Sequence, residues 1–549
     1  MTVQALLIGL DGGTFGVLDP LMDRGVMPNL RDLCERGCRS DLRTVMPPLT
    51  PPGWTSMVTG KRPGDHGVFD FFQKESADNE LFRLATSEDI RAATVWSLAS
   101  DHGRKVISLN FPLMFPPPPV NGCVVPGGWM PWRQLRLGCH PAGLFDRLKT
   151  LPSFNPRELS LDMELEAKAI EGCAEEEYRD WIELHIRREA RWFEVLTYLL
   201  ETEPADLVGV VFDGVDKLQH LCWRFLDPAS RPADPSPWEE EIAALCDSYF
   251  AHLDGIIGQL VALAGPQAVT VLASDHGFGP SSEVFYLNAW LEQHGYLAWA
   301  DDEARDAAQA AAAAPRIGFK QMTRHVYELD WDRTVAYAAT PSSNGIHIVA
   351  REPGGDGPLP EEVRRRISAE LASRLAQIPH PANGHPVVAE VWTREEAFAG
   401  PFEALAPDVS MILEGGAAIS ILRSGTLVRR REVPLGSHRW EGMFVACGPS
   451  IRSGATFDAL AIVDVAPLLL YVLDLPIPED MTGVVPEAVF DPDRWHASPP
   501  VRAPGPQPAP PAPRPWSNGA PPEAASEVAA DGEDDALVLS RLRALGYVE

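Results

Sequence analysis

Residues 3–13 read Val3-Gln4-Ala5-Leu6-Leu7-Ile8-Gly9-Leu10-Asp11-Gly12-Gly13. From Val3 to Leu10 the run is apolar almost throughout and shows no polar–apolar alternation. Strands covered on both faces look like this, as in parallel sheets flanked by helices. The run then breaks into an acid and two glycines. Beyond the carboxyl ends of strands is where open α/β sheets bind ligands. Comparable apolar runs recur at 105–109, 206–212, 269–274 and 443–447. Helix-periodic segments lie between or after them, at 28–35, 94–102, 237–263 and 464–473. The alternation predicts an α/β fold with a central, mostly parallel sheet flanked by helices.

Two stretches interrupt this alternation. Residues 159–201 are charged and helix-periodic. Residues 288–430 are mixed, with an Ala-rich helix expected at 304–314, a Gly-rich turn at 353–358 and a helix at 360–377. Both read as insertions that cap the sheet's C-terminal edge, one helical and one α+β. The expected partition is a catalytic core in three parts (1–132, 204–287, 431–495) with caps at 133–203 and 288–430. A Pro/Ala-rich linker at 496–535 is expected to be disordered, and an apolar segment at 536–549 closes the chain.

Composition narrows the partners. Lys and Arg number 47 and Asp and Glu 77 in 549 residues, a formal charge of −30. Such a surface repels a polyanion, which argues against nucleic acid. A small phosphorylated substrate stays open, because a metal ion inverts the local field. Eight cysteines are too sparse for a disulfide scaffold and are expected as buried thiols. No apolar run approaches the roughly 20 residues that span a bilayer, and the first residues read as a strand rather than a signal peptide. A cytoplasmic protein is the default expectation; the oligomeric state is not readable.

Acids and histidines collect at the strand ends. Asp11 follows the first strand. Asp213, Asp216 and His220 follow the strand ending at 212. Asp275 and His276 follow the one ending at 274, and His438 stands just before the strand at 443. Asp216 and His220 are four apart and share a helix face. Taken singly, each has an ordinary reading as a turn residue or helix cap. Taken together, three Asp and three His are what two divalent cations need. Imidazole nitrogen with carboxylate oxygen suits zinc, and manganese or iron as well. Such a pair clamps the attacking and leaving oxygens of a phosphoryl displacement.

A nucleophile is sought in Met46-Pro47-Pro48-Leu49-Thr50-Pro51-Pro52-Gly53-Trp54-Thr55-Ser56-Met57-Val58-Thr59-Gly60. Thr50 precedes two prolines, which predicts extended backbone there and a helix beginning near Trp54. A hydroxyl just ahead of a helix N-terminus sits in a positive field near free N–H groups. The alternative is an N-cap or turn role. Asn110, at another strand end, offers either a substrate contact or a turn. Gly60-Lys61 lacks the upstream glycine of a phosphate-binding P-loop, and neither Gly-x-Ser-x-Gly nor His-Glu-x-x-His occurs.

Taken in order, Ile8-Gly9-Leu10-Asp11-Gly12, Thr50-Pro51-Pro52-Gly53-Trp54-Thr55-Ser56, Thr59-Gly60-Lys61-Arg62-Pro63-Gly64-Asp65-His66-Gly67, Asp216-Lys217-Leu218-Gln219-His220, Ser274-Asp275-His276-Gly277 and Gly436-Ser437-His438 resemble the alkaline phosphatase superfamily. The nearest likeness is to its type I phosphodiesterase/nucleotide pyrophosphatase-like branch, among bacterial predicted phosphohydrolases and phosphomutases. The resemblance implies one metal on Asp216, His220 and His438 and another on Asp11, Asp275 and His276, with Thr50 as nucleophile beside the latter. His66 is read as structural, holding the nucleophile loop, and His347 as a strand residue.

The motif set departs from the branch at two places. Nucleotide pyrophosphatases usually carry an Asn shortly after the His-Gly turn, where Val68-Phe69-Asp70-Phe71 stands here, and often one at the head of the nucleophile helix, here Gly53. Backbone N–H groups, Lys61 or a cap residue would have to supply the missing donor. The expectation is a phosphodiesterase or phosphomonoesterase acting through a phospho-threonine. A phosphomutase with the same ligands and a low-turnover metal-binding scaffold are the alternatives.

Overall fold

The computed structural model describes residues 3–127, 134–160, 168, 172–300, 329–352 and 357–505. Its central sheet contains β1 (Ala5–Leu10), β2 (Cys38–Arg43), β5 (Val106–Leu109), β6 (Gly122–Val125), β7 (Leu207–Phe212), β8 (Val269–Ala273), β16 (Glu441–Cys447), β17 (Ala455–Thr456) and β18 (Leu460–Ala461). The order is β17-β2-β16-β8-β1-β7-β5-β6, with β18 also on β2. Strands β8, β1, β7, β5 and β6 are parallel, and β16 alone runs against its neighbours β8 and β2. The sheet is therefore mostly parallel, as the apolar runs predict.

Side chains of β1 divide between the two faces. Leu6, Ile8 and Leu10 join one core with the helices Tyr178–Thr202, Gly214–Leu226 and Pro237–Ala264. Ala5 and Leu7 join the other, with the helices Thr50–Thr59, Val95–Asp101 and Val465–Val472. Both faces are dry, so alternation has no reason to exist.

Three smaller units surround this layer. The hairpin of β3 (Phe72–Lys74) and β4 (Phe82–Leu84) stands beside a four-stranded sheet. That sheet is ordered β10 (Ala336–Tyr337), β11 (Gly345–Ile348), β13 (Val409–Leu413), β12 (Val388–Thr393), and carries the helix Glu361–Leu375. A third sheet pairs β9 (Gly277–Tyr286) with β14 (Ala418–Ser420) and β15 (Val428–Arg439). His438 is thus a residue of β15, opposite Phe278, and not of a loop before β16. His347 lies in β11, buried, as expected.

Two local expectations are corrected. The helix expected to begin near Trp54 begins at Thr50 itself, with Leu49 as the extended N-cap. Pro51 and Pro52 fall in its first turn, where no carbonyl four residues back awaits their missing N–H. Residues 498–505, expected within a disordered linker, return to the core: β20 (Arg502–Ala503) lies parallel to β19 (Ile477–Pro478). Strand pairing needs backbone groups rather than apolar side chains, so composition does not reveal it. The Ala-rich segment 304–314, part of the Gly-rich turn and the apolar segment 536–549 fall outside the described residues. Among the described residues no helix is long and apolar enough to cross a membrane, and the eight cysteines are free.

Candidate metal centre and nucleophile

The parallel strands β1, β7 and β8 end on one rim. Asp11 leaves β1 there. The turn after β7 opens the helix Gly214–Leu226, which presents Asp216 and His220 from successive turns. Asp275 and His276 follow β8. The chain then enters β9, whose pairing with β15 carries His438 to the same place. The ring of His438 stacks on that of His276, with centroids 3.8 Å apart.

The structure thereby gathers two triads, Asp216/His220/His438 and Asp11/Asp275/His276. Within each, one donor atom per residue lies within 4.8 Å of the others. Their hydrogen bonds decide what these atoms can do. His220 Nδ1 lies 3.0 Å from Gly436 O, His438 Nδ1 3.0 Å from Pro48 O and His276 Nδ1 3.1 Å from Gly277 O. A carbonyl oxygen only accepts, so each Nδ1 carries the proton and each neutral Nε2 is a bare lone pair.

Those lone pairs converge on one another and on carboxylates. His220 Nε2 and His438 Nε2 are 3.0 Å apart, each 3.4 Å from Asp216 Oδ1. His276 Nε2 stands 3.3 Å from Asp275 Oδ2 and 3.6 Å from Asp11 Oδ1. The far oxygen of two carboxylates is tied back: Asp11 Oδ2 accepts from Trp54 Nε1 at 3.4 Å, and Asp275 Oδ1 from Gly12 N–H at 3.1 Å. Asp11 Oδ1, Asp216 Oδ1 and Asp275 Oδ2 have no hydrogen-bond partner among the described residues.

Acceptors facing acceptors in a buried site repel, and a divalent cation would satisfy them together. The donor sets fit divalent cations, including the Nδ1-to-carbonyl tethers that orient metal-binding histidines. Burial, with Asp275 and Asp216 nearby, raises Asp11; burial likewise raises Asp275. Burial lowers His276 and His438, which keeps both rings neutral and able to ligate.

Thr50 is 3 % exposed, and its Oγ1 lies 3.4 Å from His276 Nε2. It heads its helix, in the positive end of the dipole. The anion cradle expected there is thinner, since Pro51 and Pro52 supply no N–H. Gly53 is a close-packing point: a Cβ there would meet Asp275 O at 2.7 Å. An asparagine at this position has no room.

His66 braces the helix. Its Nδ1 accepts from Val68 N–H, so Nε2 donates to Ser56 Oγ at 2.9 Å. Burial holds His66 down at about 3, neutral in ordinary conditions.

Of the two remaining sequence candidates, Lys61 lies away from the triads and Asn110 stands at the end of β5 beside Asp213. Lys61 follows the far end of the ten-residue helix, about 15 Å along its axis from Thr50, and pairs with Asp480. Asn110 donates to Val211 O at 2.8 Å and to Asp213 Oδ1 at 3.3 Å, joining the ends of β5 and β7. The residues that sequence reading missed are the tethers, Trp54, Gly12 and the carbonyls of Pro48, Gly436 and Gly277. Ordinary residue types and backbone groups leave no mark at the sequence level.

Residues 5–420 match the family model for type I phosphodiesterase / nucleotide pyrophosphatase. No curated protein matches the sequence significantly. Among solved structures, the chain is similar to phosphonoacetate hydrolase from Sinorhizobium meliloti in complex with phosphonoformate. The identity is 19%, covering 86% of this chain and 95% of that one, with a TM-score of 0.47. It is also similar to an inactive variant of murine ectonucleotide pyrophosphatase / phosphodiesterase 5 in complex with AMP, at 14% identity, with 87% and 97% covered and a TM-score of 0.48. With the family model spanning most of its length, the chain belongs to the type I phosphodiesterase / nucleotide pyrophosphatase family, metal-dependent phosphoester hydrolases of the alkaline phosphatase superfamily.

Proposed function

We propose that the chain cleaves a small phosphoester with Thr50 as nucleophile at a site for two divalent cations, zinc foremost among them. Asp216, His220 and His438 would hold one cation, and Asp11, Asp275 and His276 the other. The observation that carries this reading is the convergence of three histidine Nε2 atoms and three unpartnered carboxylate oxygens beside one buried threonine hydroxyl. Bound cations would supply Lewis-acid stabilisation of the attacking and leaving oxygens.

The chain's own residues do the rest. The helix dipole favours the alkoxide of Thr50, and the bracing of Ser56 by His66 fixes the helix that carries it. Thr50 Oγ1 forms a bond to phosphorus as the ester oxygen departs. Water attacking from the opposite side then breaks the Oγ1–phosphorus bond and frees phosphate or a monoester.

The test combines metal analysis of the purified protein, turnover on a panel of p-nitrophenyl mono- and diesters, and mass spectrometry of acid-quenched protein. Two equivalents of metal, turnover and a phosphate adduct on Thr50 support the reading. Bound metal with no turnover on any ester makes the chain a scaffold and overturns it. Return of phosphate to another hydroxyl of a phospho-sugar, without inorganic phosphate, makes it a mutase.

A further inference from the structure

The helix that carries Asp216 and His220 is anchored in an unusual way. Its N-cap residue, Asp213, has αR backbone angles and makes no side-chain cap. The Asp213 carboxylate turns away, to Asn110 Nδ2 at 3.3 Å and Arg188 Nη2 at 3.4 Å. The first N–H of the helix, that of Gly214, instead donates to Glu189 Oε1 at 2.9 Å, from the middle of the helix Tyr178–Thr202. The same oxygen accepts from the Tyr249 hydroxyl at 2.9 Å, on the helix Pro237–Ala264.

Glu189 is wholly buried, and one of its oxygens joins three helices. A Cβ at residue 214 would lie 2.5 Å from Glu189 Oε1 and 2.6 Å from the Tyr249 hydroxyl, so a side chain there would displace the junction. A carboxyl at a helix N-terminus also meets the positive end of the dipole.

We infer that Glu189 is a positioning residue for one metal site: through Gly214 N–H and the Tyr249 hydroxyl it sets the roll of the Asp216–His220 helix and so the aim of both ligands. The inference rests on the two-cation reading above. A roll of about 10° at a radius of about 5–6 Å moves a side-chain atom by about 1 Å. Metal–ligand distances tolerate about 0.2 Å. The helix also departs from helical geometry at Cys222 (φ −101°, ψ 15°), two residues beyond His220. Asp11, Asp275 and His276 come from β1 and β8 and meet this helix through Gln219 Nε2, which donates to Gly12 O at 2.8 Å. The effect is therefore expected to be larger at the Asp216 triad than at the other.

Cobalt(II) titration of the full chain tests this, read by d–d absorption and chelator competition. Wild type is expected to bind in two steps, and Asp216→Asn identifies the step that belongs to its triad. Glu189→Ala is expected to weaken that step about tenfold, change its absorption band and shift the other step clearly less. Burial and the neighbouring Asp213 push Glu189 up to about 8, so Gln resembles its neutral form; Glu189→Gln is expected to restore most of the affinity.

Leu196→Ala, a core truncation on the same helix, should lower the melting temperature and move neither step. If Glu189→Ala does not fold, Tyr249→Phe carries the same expectation at about threefold. Equal shifts in both steps, or the same shift from Leu196→Ala, reduce Glu189 to general stability and overturn the inference. Two unshifted steps in Glu189→Ala overturn it alone. A wild-type protein that takes up no cobalt overturns the two-cation reading and this inference with it.

Discussion

Two of the buried polar clusters among the described residues are wired differently. At the junction with the four-stranded sheet, Asp408 receives Ile348 N–H at 2.7 Å and Arg364 Nη1 at 3.0 and 3.1 Å, with Arg394 Nη1 at 3.3 Å. Glu80 receives Ala350 N–H and the Tyr337 hydroxyl and pairs with Lys74. Asp70 receives hydroxyls from Thr340 and Ser342. In that cluster donors meet acceptors. At the rim of the central sheet acceptors meet acceptors, and three carboxylate oxygens have no partner among the described residues. A polar cluster that supports the fold closes on itself, whereas one that serves a ligand keeps lone pairs in reserve.

The largest expected effect separates chemistry from folding at the rim. Thr50→Ala should keep two equivalents of metal and nearly the wild-type melting temperature while lowering kcat by at least about a thousandfold, about 4 kcal/mol of barrier. Near-normal turnover would remove Thr50 from its role. The converse holds at the junction. Asp408→Ala strands two buried guanidinium groups and should cost about 3 kcal/mol of stability in urea unfolding. Its metal content should be unchanged; loss of metal would erase the distinction between the clusters.

Chelation should act on the rim alone. Adding metal at about a hundred times Kd to chelated protein should return about 2.7 kcal/mol per site, in wild type and in Asp408→Ala alike. No stabilisation of either protein would count against the reserve of lone pairs.

The smallest effect is a pH signature at the junction. Burial raises Asp70 to about 6, against 3.8 in the unfolded chain, and only partly do the Thr340 and Ser342 hydroxyls offset it. The folded state then holds a proton that the unfolded state releases. Asp70's contribution is fully present below pH 3.8 and is lost as pH rises through 6. Asp70→Asn should therefore gain on wild type by about 2 kcal/mol between pH 4 and pH 7. A pH-independent difference would mean that Asp70 ionises freely when folded.

Much of this was open to reading in the linear order of residues, for identifiable reasons. The strand runs are legible because burial on both faces erases alternation, and Asp216 with His220 because a helix brings residues four apart together. The start of the Thr50 helix was misread, since the rule for residues before proline is overridden where prolines form a first turn. Lys61 drew attention by its charge and its nearness to Thr50 in the chain, yet a helix of ten residues separates them. Glu189 carried no signal at all, being one acid in a charged helical stretch whose partner, Gly214, lies 25 residues away.

The residue types and their order set out which ligating atoms exist and on which strands they ride, because apolar runs and their breaks are local properties of the chain. Folding settled which oxygen of each carboxylate is tied and which is left bare. Gly12 meets Asp275 across 263 positions, Trp54 meets Asp11 across 43 and His438 meets Pro48 across 390. Hydrogen-bond partners so far apart in the chain are chosen only when the sheet closes, and with them the direction in which each lone pair points.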